Sequence, residues 1–334
     1  MTTTGRIALD VMGGDHAPRL ILEGALRATD PARGDGLPAE RVLLVGPEEE
    51  IRGILAEHSA EDRFSILNSV EVIGMDEKPG IALRAKPKAS IPMCLQAVKS
   101  GEAAAAVSMG NTGAMVGAAT LILRTLPGVR RPGIAVTTSM TGKAMTLLDM
   151  GANAAPRGSD LVEYAIMGAA LQEGVLGVQR PRVGLLNIGE EDQKGTALTQ
   201  EARGLLLESD LNFVGNIEPD GLFSDNADVV VTDGFTGNVV IKLIEGFGAF
   251  LLGKVINSAL DAGSPVPKNV LGEVMDSVDY SEYGGALLLG VQGVVVIGHG
   301  RSDANAVYNA LKVAAQAVDS DVNGKTVAAL AGRA

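Results

Sequence analysis

Short apolar runs that end near glycine alternate with helix-type segments along nearly the whole chain, and no other feature limits its possible folds so tightly. "RIALDVM", "RVLLVG", "AAAAVSM", "GIAVTTS", "AMTLLDM", "RVGLLNIG", "ADVVVTDG" and "GVVVIGHG" are rich in β-branched or small apolar residues and read as strands. Between them, residues 18–29, 47–58, 111–126, 159–175, 195–208 and 302–318 carry apolar side chains at helical spacing. Strands that are apolar throughout must be covered on both faces. The alternation therefore predicts an α/β fold, a largely parallel sheet sandwiched by helices with right-handed crossovers.

Composition agrees with such an interior. Hydrophobic residues make up 46% of the 334, with 43 glycines and only 3% aromatic residues, so Val, Leu, Ile, Ala and Met must fill the core. No repeat, low-complexity tract or interdomain linker is visible, and residues 1–334 read as one catalytic domain. "DPARGDGLPAE" and "AGSPVPKN" read as loops, and the final "GKTVAALAGRA" as a weakly fixed tail.

A net charge of −12 leaves no broad basic face for a phosphate backbone and excludes a general nucleic-acid binder. One cysteine, Cys94, allows neither an internal disulfide nor a cysteine-based metal cluster. "MTTTGRIALD" lacks the apolar core of a secretory signal, and the longest nearly uncharged run, "ALLLGVQGVVVIG", is too short to span a bilayer. The expected location is the cytoplasm.

Four strand ends repeat one chemistry. "DVMGGDHAP", "SMGNTGA", "NIGEEDQKG" and "TDGFTGN" each follow an apolar run, place glycine where backbone can approach a ligand, and add polar side chains. Ligands of open α/β sheets bind where strands end and helices begin, because free N–H groups and the helix dipole favour anions there. Any one such loop is more simply a turn with a helix cap. Four together are expected to converge on one sheet edge around a phosphate-sized anion, with Lys194 as its fixed cation. The candidate phosphate ligands are Gly13, Gly14, Asp15, Gly110, Thr112, Gly113, Gly234 and Asn238.

Rival motifs are weaker. No G-x-G-x-x-G follows a strand, so no dinucleotide cofactor is expected. "GAFLLGKV" has Walker A spacing but ends in Val255 and lies in an apolar helix-like run. His16, His58 and His299 have no ligand-like spacing, so no metal is expected either, and Cys94 occupies a helical core position.

Taken in order, "RIALDVMGGDHAP", "VIGMDEKP", "SMGNTGA", "LLDMGAN", "PRVGLLNIGEEDQKG", "ADVVVTDGFTGNVVIK" and "DYSEYGGALLLGVQGVVVIGHG" resemble the bacterial phosphate acyltransferase of phospholipid synthesis, the PlsX type, from about residue 5 to about residue 318. The resemblance implies a three-layer Rossmann-like sandwich similar to isocitrate dehydrogenases and phosphotransacetylases, with a projecting helix pair at about 239–276. It implies transfer of an acyl group from acyl carrier protein to inorganic phosphate, giving an acyl phosphate for glycerol-phosphate acylation. A homodimer, peripheral membrane attachment and the downstream glycerol-phosphate acyltransferase as a partner are implied too. One departure stands out: where the family pattern has a histidine ahead of "EVI", this chain reads "NSVEVI", with Asn68.

Attack of phosphate on a thioester needs no protein nucleophile. The catalytic candidates are accordingly Lys194, Asp233, Asn111 and His16. Lys194 would bind phosphate, and Asn111 would donate to phosphate or to the oxyanion. Asp233 would pair with Lys194, accept a proton from phosphate, or cap a helix; His16 would protonate the departing sulfur, contact phosphate, or close the first turn. Asp10, within the first strand, reads as support for its neighbours. "VVIKLIEGFGAFLLGKVINSAL", with Phe247, Phe250, Leu251 and Val255, reads either as a dimer-interface helix or as the acyl and membrane contact, with Lys254 and Lys268 near an acidic partner. The main alternative is a phosphotransacetylase-like enzyme using a short acyl-CoA; a nicotinamide-dependent decarboxylating dehydrogenase and a membrane scaffold are more distant.

Overall fold

The computed structural model describes residues 5–139, 142–261 and 284–332. "AGSPVPKN", Lys268 and the remainder of the expected helix pair to residue 276 lie outside the described residues. The chain divides into two compact units, Met1–Pro132 with Ser281–Ala334, and Gly133–Tyr280.

In the first unit the strands β1 (Ile7–Asp10), β2 (Val42–Gly46), β3 (Ser65–Asn68), β4 (Ala105–Ser108), β10 (Ala286–Leu289) and β11 (Val294–Ile297) stand in the order β3-β2-β1-β4-β11-β10. All neighbours are parallel except the β10–β11 hairpin. That hairpin is where the long apolar run "ALLLGVQGVVVIG" goes. β1, β2, β4, β10 and β11 are buried along their full length, which requires cover on both sides. Helices α4 (Ser90–Ser100) and α9 (Ala304–Asp319) each lie against β1 and β4, while α1 (Arg19–Ala28) packs on α9. The chain steps outward from β1 to β3 and returns beside β1 at β4, so the order reverses between β1 and β4. Such a reversal opens a crevice at the carboxyl ends of the strands.

The second unit holds β5 (Gly133–Thr138), β6 (Met145–Leu148), β7 (Arg182–Leu186), β8 (Asn212–Ile217) and β9 (Val229–Val231), in the order β5-β6-β9-β7-β8. β6, β9, β7 and β8 are mutually parallel, and β5 runs against β6. Helix α6 (Gly158–Gly174) packs on β6, β9 and β7 and against α7 (Ala197–Leu207). The expected α/β sandwich with a largely parallel sheet is present in both units.

The expected helices recur within a residue or a few of their sequence limits. Two local readings differ. β3 and β8 were not legible as strands, because each lies at the end of its order and mixes exposed with buried positions. The supposed tail is helix α10 (Val322–Ala331), capped by Asp321 and anchored through buried Val322 and Thr326.

Candidate active site

In the first unit three adjacent strand ends meet around one buried carboxylate. Asp10 closes β1 with no exposed surface. Its Oδ1 accepts the Met12 N–H at 3.1 Å, and its Oδ2 accepts the Ser108 hydroxyl at 2.6 Å. Ser108 in turn accepts the Gly110 N–H at 3.0 Å, so Asp10 ties the loop after β1 to the loop after β4. Burial pushes its pKa up, against the hydrogen bonds from Ser108, Ser90 and backbone, which favour the carboxylate. Gly13 fills the crevice between the two loops: a Cβ there would lie 2.6 Å from Asp10 Oδ2 and 2.7 Å from the Gly110 nitrogen. Gly14 and Asp15 then turn toward the loop after β11, where the Asp15 N–H donates to Gly300 O at 2.7 Å. Asp15 and His16 are exposed at this mouth, immediately before α1.

Asn111 caps α5 (Thr112–Ile122), its Oδ1 accepting the Ala114 N–H at 3.0 Å. Its Nδ2 faces the carbonyls of Gly74, Met75 and Glu77 at 3.0–3.2 Å. The amide thus clasps the "GMDEKP" segment, which leads into α3 (Pro79–Ala85), onto the helix start, an engagement the sequence did not foretell. Thr112 and Gly113 are exposed in the first turn, where helical geometry leaves N–H groups without carbonyl partners. Glu77 sits beneath them; the Gly74 N–H and Lys86 hold its carboxyl below the usual range. Asn68 is exposed on β3, where its Oδ1 accepts the Glu48 N–H at 3.0 Å at the start of α2 (Glu48–Ala56). Here the departing residue has a helix-capping task.

The second unit repeats the device. Asp149, buried after β6, accepts N–H groups from Ile134, Gly151 and Ala152 on Oδ1 and from Asn153 on Oδ2, at 2.7–3.1 Å. Burial again outweighs these bonds and raises its pKa. The loop after β9 rests on this knot: the Gly234 N–H donates to Asn153 O at 2.8 Å, and a Cβ on Gly237 would stand 2.0 Å from Asp149 O. Asp149 lay inside the quoted "LLDMGAN", but its buried role was not singled out from the sequence; a carboxylate at the end of a wholly apolar strand was the signal.

Asp233 is a helix cap. Its Oδ1 accepts the Thr236 N–H at 2.9 Å and its Oδ2 the Thr236 hydroxyl at 2.7 Å, at the head of α8 (Gly234–Asp261). Asn238 is exposed one turn along, beside Gly151. Lys194, on the loop between β7 and α7, is exposed and has Glu191 Oε1 as a partner at 3.9 Å; the structure gives it no ion pair with Asp233 among the described residues. The loop is held from below: Asn187 donates to Lys194 O at 3.2 Å and accepts the Ile188 N–H at 2.9 Å. β6, β9 and β7 are parallel neighbours, so the loops carrying Asp149, Asp233 and Lys194 emerge at the same edge of this unit.

α8 leaves that edge with its buried residues confined to Gly234, Gly237 and Ile241. Phe247, Phe250, Leu251 and Val255 are between 46% and 59% exposed, as no core helix would be. No described helix is long and apolar enough to cross a membrane. Cys94, fully buried in α4, has its thiol pushed well up by burial and by the neighbouring Asp10, which suits a core residue rather than a nucleophile.

The family described as "Fatty acid synthesis protein" matches residues 5–325. A phosphate acyltransferase of Desulfitobacterium hafniense (strain Y51) is 42% identical over 322 residues, 94% of each chain. One from Shouchella clausii is 42% identical over 328 residues, covering 96% of this chain and 97% of the other. Among solved structures, a phosphotransacetylase from Streptococcus pyogenes superposes with a TM-score of 0.62 at 20% identity, covering 94% of each chain; at that identity the likeness speaks for the fold. Sequence match along nearly the full length, glycine-lined strand ends and fold agree, and the chain belongs to the phosphate acyltransferase family of fatty acid synthesis proteins.

Proposed function

We propose that this acyltransferase moves a long acyl chain from acyl carrier protein to inorganic phosphate, and that the acyl phosphate feeds phospholipid synthesis. The observation that carries the reading is the near-full-length match to phosphate acyltransferases. The glycine-lined strand ends, held in the first unit by buried Asp10 and in the second by buried Asp149 and by Asn187, are what an anionic substrate requires. Recognition of the carrier rests on the sequence resemblance.

The chemistry is an addition and an elimination. A phosphate oxygen attacks the thioester carbonyl, a C–O bond forms as the carbonyl oxygen becomes an oxyanion, and collapse breaks the C–S bond. The electron pair leaves on sulfur, whose thiol has a pKa of about 8.5, so a strong general acid is optional. Lys194 supplies the positive charge for phosphate, and the exposed side-chain amide of Asn238 adds a hydrogen-bond donor beside the α8 start. In the first unit the Gly13–Asp15 turn and the α5 start, Thr112 and Gly113, offer a second set of anion-facing groups, with Gly110 set by Ser108. Asn111 works through the segment it clasps, and Asp233 through the α8 start it caps. As the acyl phosphate forms, the attacking hydrogen phosphate sheds one proton and the leaving thiolate takes one up, and His16, exposed at the first turn, is the candidate carrier of that proton.

The bare apolar part of α8 is where a homodimer partner, an acyl chain or a bilayer surface would sit, which supports a reading of peripheral attachment at the inner face of the membrane. The deciding experiment compares acyl carrier protein loaded with a long acyl chain against acetyl-CoA, each with phosphate. Fast turnover of the first and none of the second supports the reading; the reverse makes the protein a short-chain phosphotransacetylase.

A further inference from the structure

We propose that Arg157, at the end of the loop after β6, is a second cation for the acceptor phosphate, held near Lys194 by two consecutive residues of α7. The proposal rests on the reading of the second unit as the phosphate site. β6, β9 and β7 are parallel neighbours, so the loop after β6 emerges at the edge that also carries Asp233 and Lys194. It meets the loop after β9 directly, through the Gly234 N–H on Asn153 O at 2.8 Å. It also borders a candidate phosphate ligand, since a Cβ on Gly151 would stand 3.6 Å from Asn238 Oδ1.

Helix α7 ties the two cations together. Gln200 Nε2 donates to Gln193 O at 3.0 Å, which holds the residue before Lys194. The next residue along, Glu201, accepts the Gly158 N–H on Oε2 at 3.3 Å, which holds the residue after Arg157. Gly158 lies so close to α7 that a Cβ there would be 2.9 Å from the Ala202 nitrogen. The Arg157 N–H itself donates to Asp160 Oδ2 at 2.7 Å, where α6 begins. The backbone around Arg157 is therefore fixed, while the residue is exposed.

Charge gives the second cation its purpose. Lys194 shares its loop with exposed Glu190, Glu191 and Asp192, and Glu191 Oε1 lies 3.9 Å from its Nζ, so one lysine there scarcely offsets its own neighbours before an anion arrives. The net charge of −12 opposes phosphate as well. Other cations of this unit are committed. Lys143 and Arg182, at the opposite ends of the strands, pair with Asp225, and Arg182 also with Asp228 at 2.9 Å; Arg203 pairs with Asp192. Arg157 has no ion pair among the described residues, and the carboxylates nearest in its surroundings, Asp160 and Glu201, each accept a backbone N–H. A guanidinium presents a planar fork of donors that matches two oxygens of one phosphate, which leaves the others to Lys194.

The test measures initial rates of the full chain with the octanoyl thioester of pantetheine, a donor that carries no phosphate, against varied inorganic phosphate. Arg157→Gln should raise KM for phosphate about 10- to 100-fold, the loss of one charge-assisted hydrogen bond, and leave KM for the thioester unchanged. Arg157→Lys, which keeps the charge but loses the fork, should recover part of that loss. Arg157→Met serves if the glutamine variant does not fold. An arginine that only solvates the surface would move neither constant, so an unchanged KM for phosphate in the folded variants overturns the proposal. If the thioester passes no acyl group to phosphate, the functional reading fails, and calorimetry with inorganic phosphate alone decides Arg157. Weaker binding in Arg157→Gln then supports it; equal binding, or none to the wild-type chain, overturns it.

Discussion

At the scale of single residues, the structure separates groups that face outward from groups that hold them. Lys194 is exposed on a loop fixed from below by Asn187, so its removal should spare the fold and strike the chemistry. Lys194→Ala is expected to lower kcat/KM for phosphate about 100- to 1,000-fold, the usual loss for one group that stabilises developing charge. Near wild-type turnover at low phosphate, with the circular dichroism spectrum unchanged, would remove Lys194 from the site. Gly13 belongs to the supporting class. A Cβ there meets Asp10 Oδ2 at 2.6 Å and backbone at 2.7 Å, so Gly13→Ala should cost about 1–3 kcal/mol of stability in urea unfolding and reduce activity by parting the two loops. The glycines, Lys194 and Asp233 were legible because each breaks an apolar run. The engagement of Asn111 with residues 74–77 was not, since a contact across 34 to 37 positions leaves no local pattern.

At the scale of elements, apolar β-branched runs betrayed the central strands, because strands buried on both faces need no alternation. β3 and β8 escaped notice because end strands mix surface and core. Helix α10 was hidden in a small-residue stretch of modest periodicity, and only Val322 and Thr326 pin it. α8 shows the reverse case. Its apolar residues go round most of the helix, and the fold buries only the first turns. An exposed apolar stretch of this length is a candidate surface for a partner or for lipid. Phe250→Glu and Leu251→Glu should therefore weaken flotation with anionic liposomes, while transfer from a soluble acyl carrier persists. Variants that float like wild type place the anchor elsewhere; variants that dissociate from dimer to monomer assign this surface to a subunit interface.

At the scale of the whole molecule, the sign of pH dependence follows from which carboxyls are shifted and how. Arg182 holds Asp228 below the ordinary carboxylate range, and the Arg182 N–H donates to it at 2.7 Å, tying the start of β7 to the start of β9. A lowered carboxyl stabilises the fold above its unfolded value and loses that contribution as pH falls through the folded value. Asp228→Asn should then cost about 1–3 kcal/mol at neutral pH, and the gap from wild type should close on acidification. Asp10 and Asp149 have the opposite sign: their raised pKa values favour the protonated fold, so their contribution is largest in acid and falls as pH rises through the folded values. A gap for Asp228→Asn that stays constant from neutral to acid pH would refute this assignment.

The central claim is direct transfer from thioester to phosphate without an acylated protein. Cys94, the one cysteine, is buried with its thiol pushed well up, which sets the thiol aside as a nucleophile and agrees with direct attack by phosphate. Mass spectrometry of a quenched single turnover, with long-chain acyl carrier protein, phosphate and excess enzyme, reads product and protein together. The account predicts acyl phosphate appearing as the thioester disappears, with the mass of the protein unchanged throughout. An acylated protein that forms and decays on the path, or free fatty acid without acyl phosphate, would contradict it.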